Sequence, residues 1–286
     1  MIPAMQLLFD PRDDPYHQKY GSRILDWLVD LDAIPLDEAM ADTEGYLFAG
    51  ARPIDDYRTL VANFPLVRDR PVEREPLLRL DSVLSALDEH GVKVPMPRTW
   101  VLPLDAPLPA DISFPLFVRT AESSWKKGGR ISRVRNPKEL EEEAFALRRA
   151  LGWDAMIVAR QWLELAVAGE GTYGPLPREV RVWIVDGLPF AWTFHYMNLI
   201  PKPAGFPPSA DDLSVLHRQA EQVGAAFRSR LVVADFARGV DGGWWFIEAG
   251  PGSCAGTNHE AVFKGVARRL QGREMEVVGD MVGGAL

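Results

Sequence analysis

Leu231-Val-Val-Ala-Asp235-Phe236, then Asp241-Gly-Gly243, then Trp244-Trp-Phe-Ile-Glu248 is the stretch that decides the fold. Two apolar runs around Asp-Gly-Gly predict an antiparallel hairpin, because glycine supplies the backbone angles a tight return needs. Asp235 lies near the end of the first strand and Glu248 near the end of the second, with the turn roughly midway, so the two carboxylates can fall side by side. Acids among Val, Phe, Trp and Ile are costly to bury uncompensated. A hard divalent cation such as Mg²⁺, held by carboxylate oxygens, would compensate them. Solvent or a nearby arginine would do so as well.

Upstream, Val180–Val185 alternates as a strand does, Asp186–Gly187 is a turn signal and Pro189–Phe194 is the return strand. Glu179 and Arg181, two residues apart, share one face, while Val180, Val182 and Ile184 take the other. They are either a surface pair or the wall of a cleft, with Glu179 toward ribose hydroxyls and Arg181 toward phosphate. Pro115–Arg119 is a further strand. Ser123-Ser-Trp-Lys126-Lys127-Gly-Gly129 follows it. An arginine fork and two flexible lysines beside paired glycines suit a triphosphate; a solvated basic turn is the alternative. The Gly-x4-Gly-Lys-Ser/Thr loop is absent.

Elsewhere the order of elements predicts α/β layering. Met5–Phe9, Tyr46–Ala49 and Phe64–Val67 suit strands, and Asp26–Leu31 and Asp55–Asn63 suit helices. The charged, two-proline stretch Arg70–Pro76 suggests a linker. Helical spacing runs from Leu77 to His90, and Asn136-Pro137 opens a helix to about Leu151. Thr99–Leu102, Ile131–Val134 and Met156–Ala159 suit strands, the last leading into Arg160–Glu164. Ala166–Pro177 suggests a plain connection, Asn198–Pro208 an irregular loop and Ser209–Ser229 an amphipathic helix.

Composition narrows the function. The 286 residues are 47% hydrophobic and 25% charged, which excludes a disordered chain. A net charge of −8 makes binding along a nucleic-acid backbone a poor fit. The single cysteine, Cys254, excludes an intramolecular disulfide and has no assignable base to make it a nucleophile. No apolar run approaches the roughly 20 residues that cross a bilayer, and no signal peptide is visible, so a cytoplasmic protein is expected. His195 suits a structural role at a strand end. Most of the nine tryptophans suit the core, with Trp162 the exception.

Arg119 on its strand, the Lys-Gly loop, Met156–Leu163, Glu179-x-Arg181, Asp235 and Ile247-Glu248-x-x-Pro251-Gly252 follow one another in an order that resembles the ATP-grasp superfamily, over about Leu77 to Leu270. Arginine at the usual first lysine, with lysines after it, resembles the clade named for one arginine and two lysines. A weaker resemblance is to the cell-division-cycle 123 family. The resemblance implies a small N-terminal α/β domain over 1–74 and an ATP-grasp domain over 75–286. The latter comprises two α+β subdomains clasping ATP, a lid over about 98–163 and a catalytic part over about 164–286. It implies that Arg119 with Lys126 or Lys127 holds the phosphates and that Gln161, Trp162 and Leu163 form the adenine hinge. Glu179 would take the ribose, Arg181 the γ-phosphate or acyl phosphate, and Asp235 and Glu248 Mg²⁺; Arg181 and Lys127 are the implied catalytic groups. The implied activity is an ATP- and Mg²⁺-dependent carboxylate–amine ligase acting through an acyl phosphate on a small molecule or peptide, and such ligases often form homodimers. The alternative is an ATP-binding assembly or regulatory factor without turnover. The family usually places Asn two residues after the metal-binding Glu; here that position is Gly250.

Overall fold

The computed structural model describes residues 5–13, 24–50, 52–104, 107–122, 133–171, 174–195, 207–257 and 259–273. Its first layer comprises β1 (Gln6–Phe9), α1 (Ile24–Val29), β2 (Ile34–Pro35), β3 (Gly45–Phe48), α2 (Ile54–Val61) and β4 (Val67–Arg68). The strands are parallel in the order β2-β1-β3-β4. β1 and β3 are short apolar runs, buried as a parallel sheet covered on both faces requires. The two-residue β2 is too short to show any periodicity in the sequence. Arg70–Pro76, expected as a linker, instead forms α3 (Pro71–Arg74) and the start of a 3₁₀ turn (Glu75–Leu77), and Arg74 is fully buried.

The second layer follows α4 (Leu80–Glu89) and contains β5 (Thr99–Leu102), β6 (Leu116–Thr120), β7 (Arg133–Val134), α5 (Pro137–Leu151) and β8 (Ile157–Gln161). This sheet is antiparallel, ordered β5-β8-β6-β7. Asn136 caps α5, its side chain accepting from the Glu139 amide at 2.9 Å, and Gly152 ends the helix at φ 125°. Trp100, Leu116, Val118, Ile157 and Ala159 pack on Leu140 and Leu147 of α5. By alternation the opposite face carries Thr99, Phe117, Arg119 and Arg160.

The small hairpin of β9 (Val167–Gly171) and β10 (Gly174–Pro177) occupies the expected connection; its glycines and prolines mask the strand signal. The last layer contains β11 (Glu179–Val185), β12 (Leu188–Phe194), α6 (Ala210–Ala225), β13 (Leu231–Arg238), β14 (Trp244–Pro251) and α7 (Glu260–Leu270). Its antiparallel order is β12-β11-β13-β14. Val180, Val182, Ile184, Ala234, Phe236 and Phe246 pack on Leu216, Ala220 and Val223 of α6. On the opposite face, Trp183, Val185, Leu231 and Val233 join Phe263 and Val266 of α7, and Leu7, Phe9 and Trp27 of the N-terminal layer. That second core covers only one end of the face. The uncovered end holds the polar residues considered next. Among the described residues no helix is long and apolar enough to cross a membrane.

Candidate active site

Cross-strand register sets the site in one row: Arg181 of β11 opposes Asp235 of β13, and Asp235 opposes Glu248 of β14. The second match depends on a bulge. Near the turn the pairs are Arg238 with Trp244, Ala237 with Trp245 and Phe236 with Phe246, a register that would set Asp235 against Ile247. One extra residue, Ile247, shifts the ladder and turns Glu248 onto the face of Asp235.

Arg181 grips Asp235 through two parallel bonds, Nε to Oδ1 and Nη2 to Oδ2, both 2.8 Å, and its Nη1 donates to the Gly256 carbonyl at 3.1 Å. The His195 amide donates to the Glu179 carbonyl at 3.1 Å, which extends the β11–β12 ladder to the site. The His195 Nδ1 lies 3.2 Å from Asp235 Oδ2 and 2.9 Å from Arg181 Nη2; its Nε2 lies 4.0 Å from Glu179. Burial opposes ionisation of Asp235, but Arg181 and His195 outweigh it and hold the carboxyl far below its usual range. Burial opposes the His195 cation too, yet Asp235 and Glu179 raise its pKa above the ordinary value.

The lid-side sheet supplies two more guanidiniums. Arg119 Nη1 bonds Glu248 Oε2 across the cleft, and Nε donates to the Thr120 carbonyl at 3.2 Å. Against burial, this arginine keeps the Glu248 pKa lowered. Arg160, only 3% exposed, donates from Nε to Thr99 Oγ1 at 3.1 Å and from Nη1 to the Ile247 carbonyl. Its Nη2 is buried and has no hydrogen-bond partner among the described residues. Burial first and Arg119 second pull its pKa down to about 9, with Glu248 opposing. Beyond Arg160 the chain leaves the sheet at Gln161–Leu163. The amides of Gln161 and Trp162 are committed to the carbonyls of Arg98 (2.7 Å) and Pro115 (3.0 Å). The Arg133 guanidinium lies over the Trp162 ring, 4.6 Å from its centroid.

Arg119, Glu179, Arg181, Asp235 and Glu248 therefore gather in one cleft, with Gln161–Leu163 at the end of the strand that carries Arg160. Lys126 and Lys127 lie outside the described residues, as does Asn198. Two site residues escape sequence reasoning. Arg160 is masked by position, as one residue of a strand leading into the hinge segment. His195 is masked by isolation, because its partners come from other strands. The acids have arginine partners, one of the compensations open from sequence. They also form a donor set of facing, ionised carboxylates, which suits a hard cation. Asp235 further belongs with Glu179 and His195 to a group whose ligand atoms all lie within 4.8 Å of one another. A Cβ at Gly250 would meet nothing within 4 Å, so the missing asparagine is not excluded by packing.

Over residues 79–270 the chain matches family 3 of the ATP-grasp domains in the clade named for one arginine and two lysines, and it belongs to that family. Solved structures share the fold at low identity. A D-alanine–D-alanine ligase from Bacillus anthracis complexed with ATP is 14% identical with a TM-score of 0.63, over 96% of this chain and 100% of that one. An N5-carboxyaminoimidazole synthase from Aspergillus clavatus is 11% identical with a TM-score of 0.64, over 96% and 78%. An L-amino acid ligase from Bacillus licheniformis is 14% identical with a TM-score of 0.52, over 94% and 71%. No curated protein matches the chain in sequence.

Proposed function

We propose that the protein is an ATP- and Mg²⁺-dependent carboxylate–amine ligase that works through an acyl phosphate on a small-molecule or peptide substrate. The observation that carries this reading is the row Arg181–Asp235–Glu248, met from the lid-side sheet by Arg119. Cations at both ends and two ionised acids between them match the charge pattern of a metal-bound triphosphate.

Asp235 and Glu248 would hold Mg²⁺, which when bound neutralises phosphate charge. Arg119 and Arg181 would exchange their carboxylate partners for phosphate oxygens, orienting the γ-phosphate in line with the acceptor. A substrate carboxylate oxygen forms a bond to the γ-phosphorus as the bond to the ADP oxygen breaks, and ADP leaves with that electron pair. An amine then attacks the acyl carbon, phosphate departs and the amine gives up a proton. Glu179 would accept ribose hydroxyls. Of the hinge residues, Leu163 would offer adenine its amide, since those of Gln161 and Trp162 are engaged elsewhere.

The test is calorimetric titration with ATP and Mg²⁺, followed by phosphate release with pools of carboxylate and amine substrates. Arg119→Ala and Glu248→Ala should each weaken Mg²⁺-dependent ATP binding by about tenfold or more. Wild-type binding by both variants would overturn the reading.

A further inference from the structure

Arg160 is a buried cation without a carboxylate of its own in hydrogen-bonding contact. Its bonded partners are a hydroxyl and a carbonyl, both neutral. The charges that act on it are Arg119, which repels it, and Glu248, which Arg119 already engages. A buried guanidinium with a free donor beside a second guanidinium is costly for an isolated fold. The cost is offset when an anion lies between them. The donor's location narrows that anion. Arg160 shares a sheet face with Arg119 and directly precedes Gln161 at the hinge. The Arg181–Asp235 pair sits further across the cleft, on the opposing sheet.

We infer that Arg160 contacts the α- and β-phosphates of the bound nucleotide through Nη2, forming with Arg119 a paired-guanidinium clamp on the diphosphate. This inference rests on the ATP reading above and adds a phosphate-contacting residue that the sequence did not single out. It also divides the work among the cations, with Arg160 on the diphosphate that stays with the nucleoside and Arg181 on the phosphoryl group that leaves.

Adenosine, ADP and ATP, with Mg²⁺ held constant, separate the possibilities when titrated calorimetrically into wild type, R160Q and R160K. ADP and ATP affinities should both fall about 10- to 100-fold in R160Q, adenosine affinity should hold, and the ATP-to-ADP ratio should stay the same. R160K keeps the charge but lacks the fork, so it should recover part of the loss, and it carries the test if R160Q does not fold. Equal weakening of all three ligands would mark Arg160 as merely structural and overturn the inference, as would unchanged ADP affinity. A wild-type protein that binds adenosine but neither nucleotide would overturn the ATP reading and the inference together. Wild-type nucleotide binding with an indifferent R160Q would overturn the inference alone.

Discussion

Two buried arginines, Arg74 and Arg160, stand in opposite electrostatic circumstances. Arg74 is fully buried between the N-terminal layer and the last sheet. It contacts Asp69 Oδ2 at 3.3 Å, Ser253 Oγ at 3.1 Å and the carbonyls of Ala49 (3.3 Å) and Gly50 (3.0 Å). Its guanidinium also lies over the Tyr57 ring, 4.2 Å from the centroid. Burial alone would lower its pKa, but Cys254 and Asp69 outweigh burial and the shift is upward. For Arg160, burial and Arg119 prevail and the shift is downward. The first charge is satisfied by the fold and serves architecture. The second is left short of counter-charge at the mouth of a cleft, which is what a ligand-binding cation looks like before its ligand arrives.

The largest expected effect falls on the satisfied arginine. Arg74→Met leaves Asp69 buried and unpaired, and should cost roughly 3–5 kcal/mol in urea unfolding. Nucleotide affinity per folded molecule should hold; a loss matching that of Arg160 variants would break the contrast. Arg160→Met should change unfolding free energy by less than about 1 kcal/mol, because losing two hydrogen bonds is offset by removing an unbalanced charge. A destabilisation as large as that of Arg74→Met would show Arg160 to be a structural cation too.

The cationic cluster on the opposing sheet sharpens the contrast through pH. His195 has its pKa raised above 6.5 in the fold. Its pairing therefore contributes fully below about pH 6.5 and is lost as pH rises through the folded value. The stability difference between wild type and His195→Gln should be largest in mildly acidic buffer and shrink toward alkaline pH. Urea melts of both proteins over that range provide the check, and a difference that grows with pH would contradict the ion pairing with Asp235. The smallest stability effect is expected at Gly250. Gly250→Asn meets open space and should shift unfolding by no more than about 0.5 kcal/mol. Under the proposed function, its measurable consequence is a lower Mg²⁺ half-saturation for ATP binding.

Much of this arrangement is legible in the chain because local rules dominate it. Asp-Gly-Gly forces a return, alternation sends Glu179 and Arg181 to one face, and Asn136-Pro137 opens a helix where the cap chemistry requires it. What escapes the sequence depends on distant partners. A stretch as charged as Arg70–Pro76 has the composition of a linker, and only the carbonyls of Ala49 and Gly50 and the side chains of Asp69 and Ser253 explain why Arg74 is buried. His195 gains its meaning from Asp235 and Glu179, neither of which is near it in sequence. Arg160 is unremarkable on its strand until Arg119 and Ile247 are brought to it.

The extra residue at Ile247 has a consequence for how such a hairpin can change over generations. The turn beyond Phe236 and Phe246 can gain or lose residues without moving the acids, since their phase is reset between turn and cleft. Removing Ile247 itself would leave the tip intact and rotate Glu248 away from Asp235 toward the face packed on α6. A single-codon deletion there would uncouple Glu248 from Arg119 and withdraw the carbonyl that Arg160 holds, while the surrounding sheet kept its strands. The hairpin is thus tolerant of length change at its tip and intolerant at one internal position.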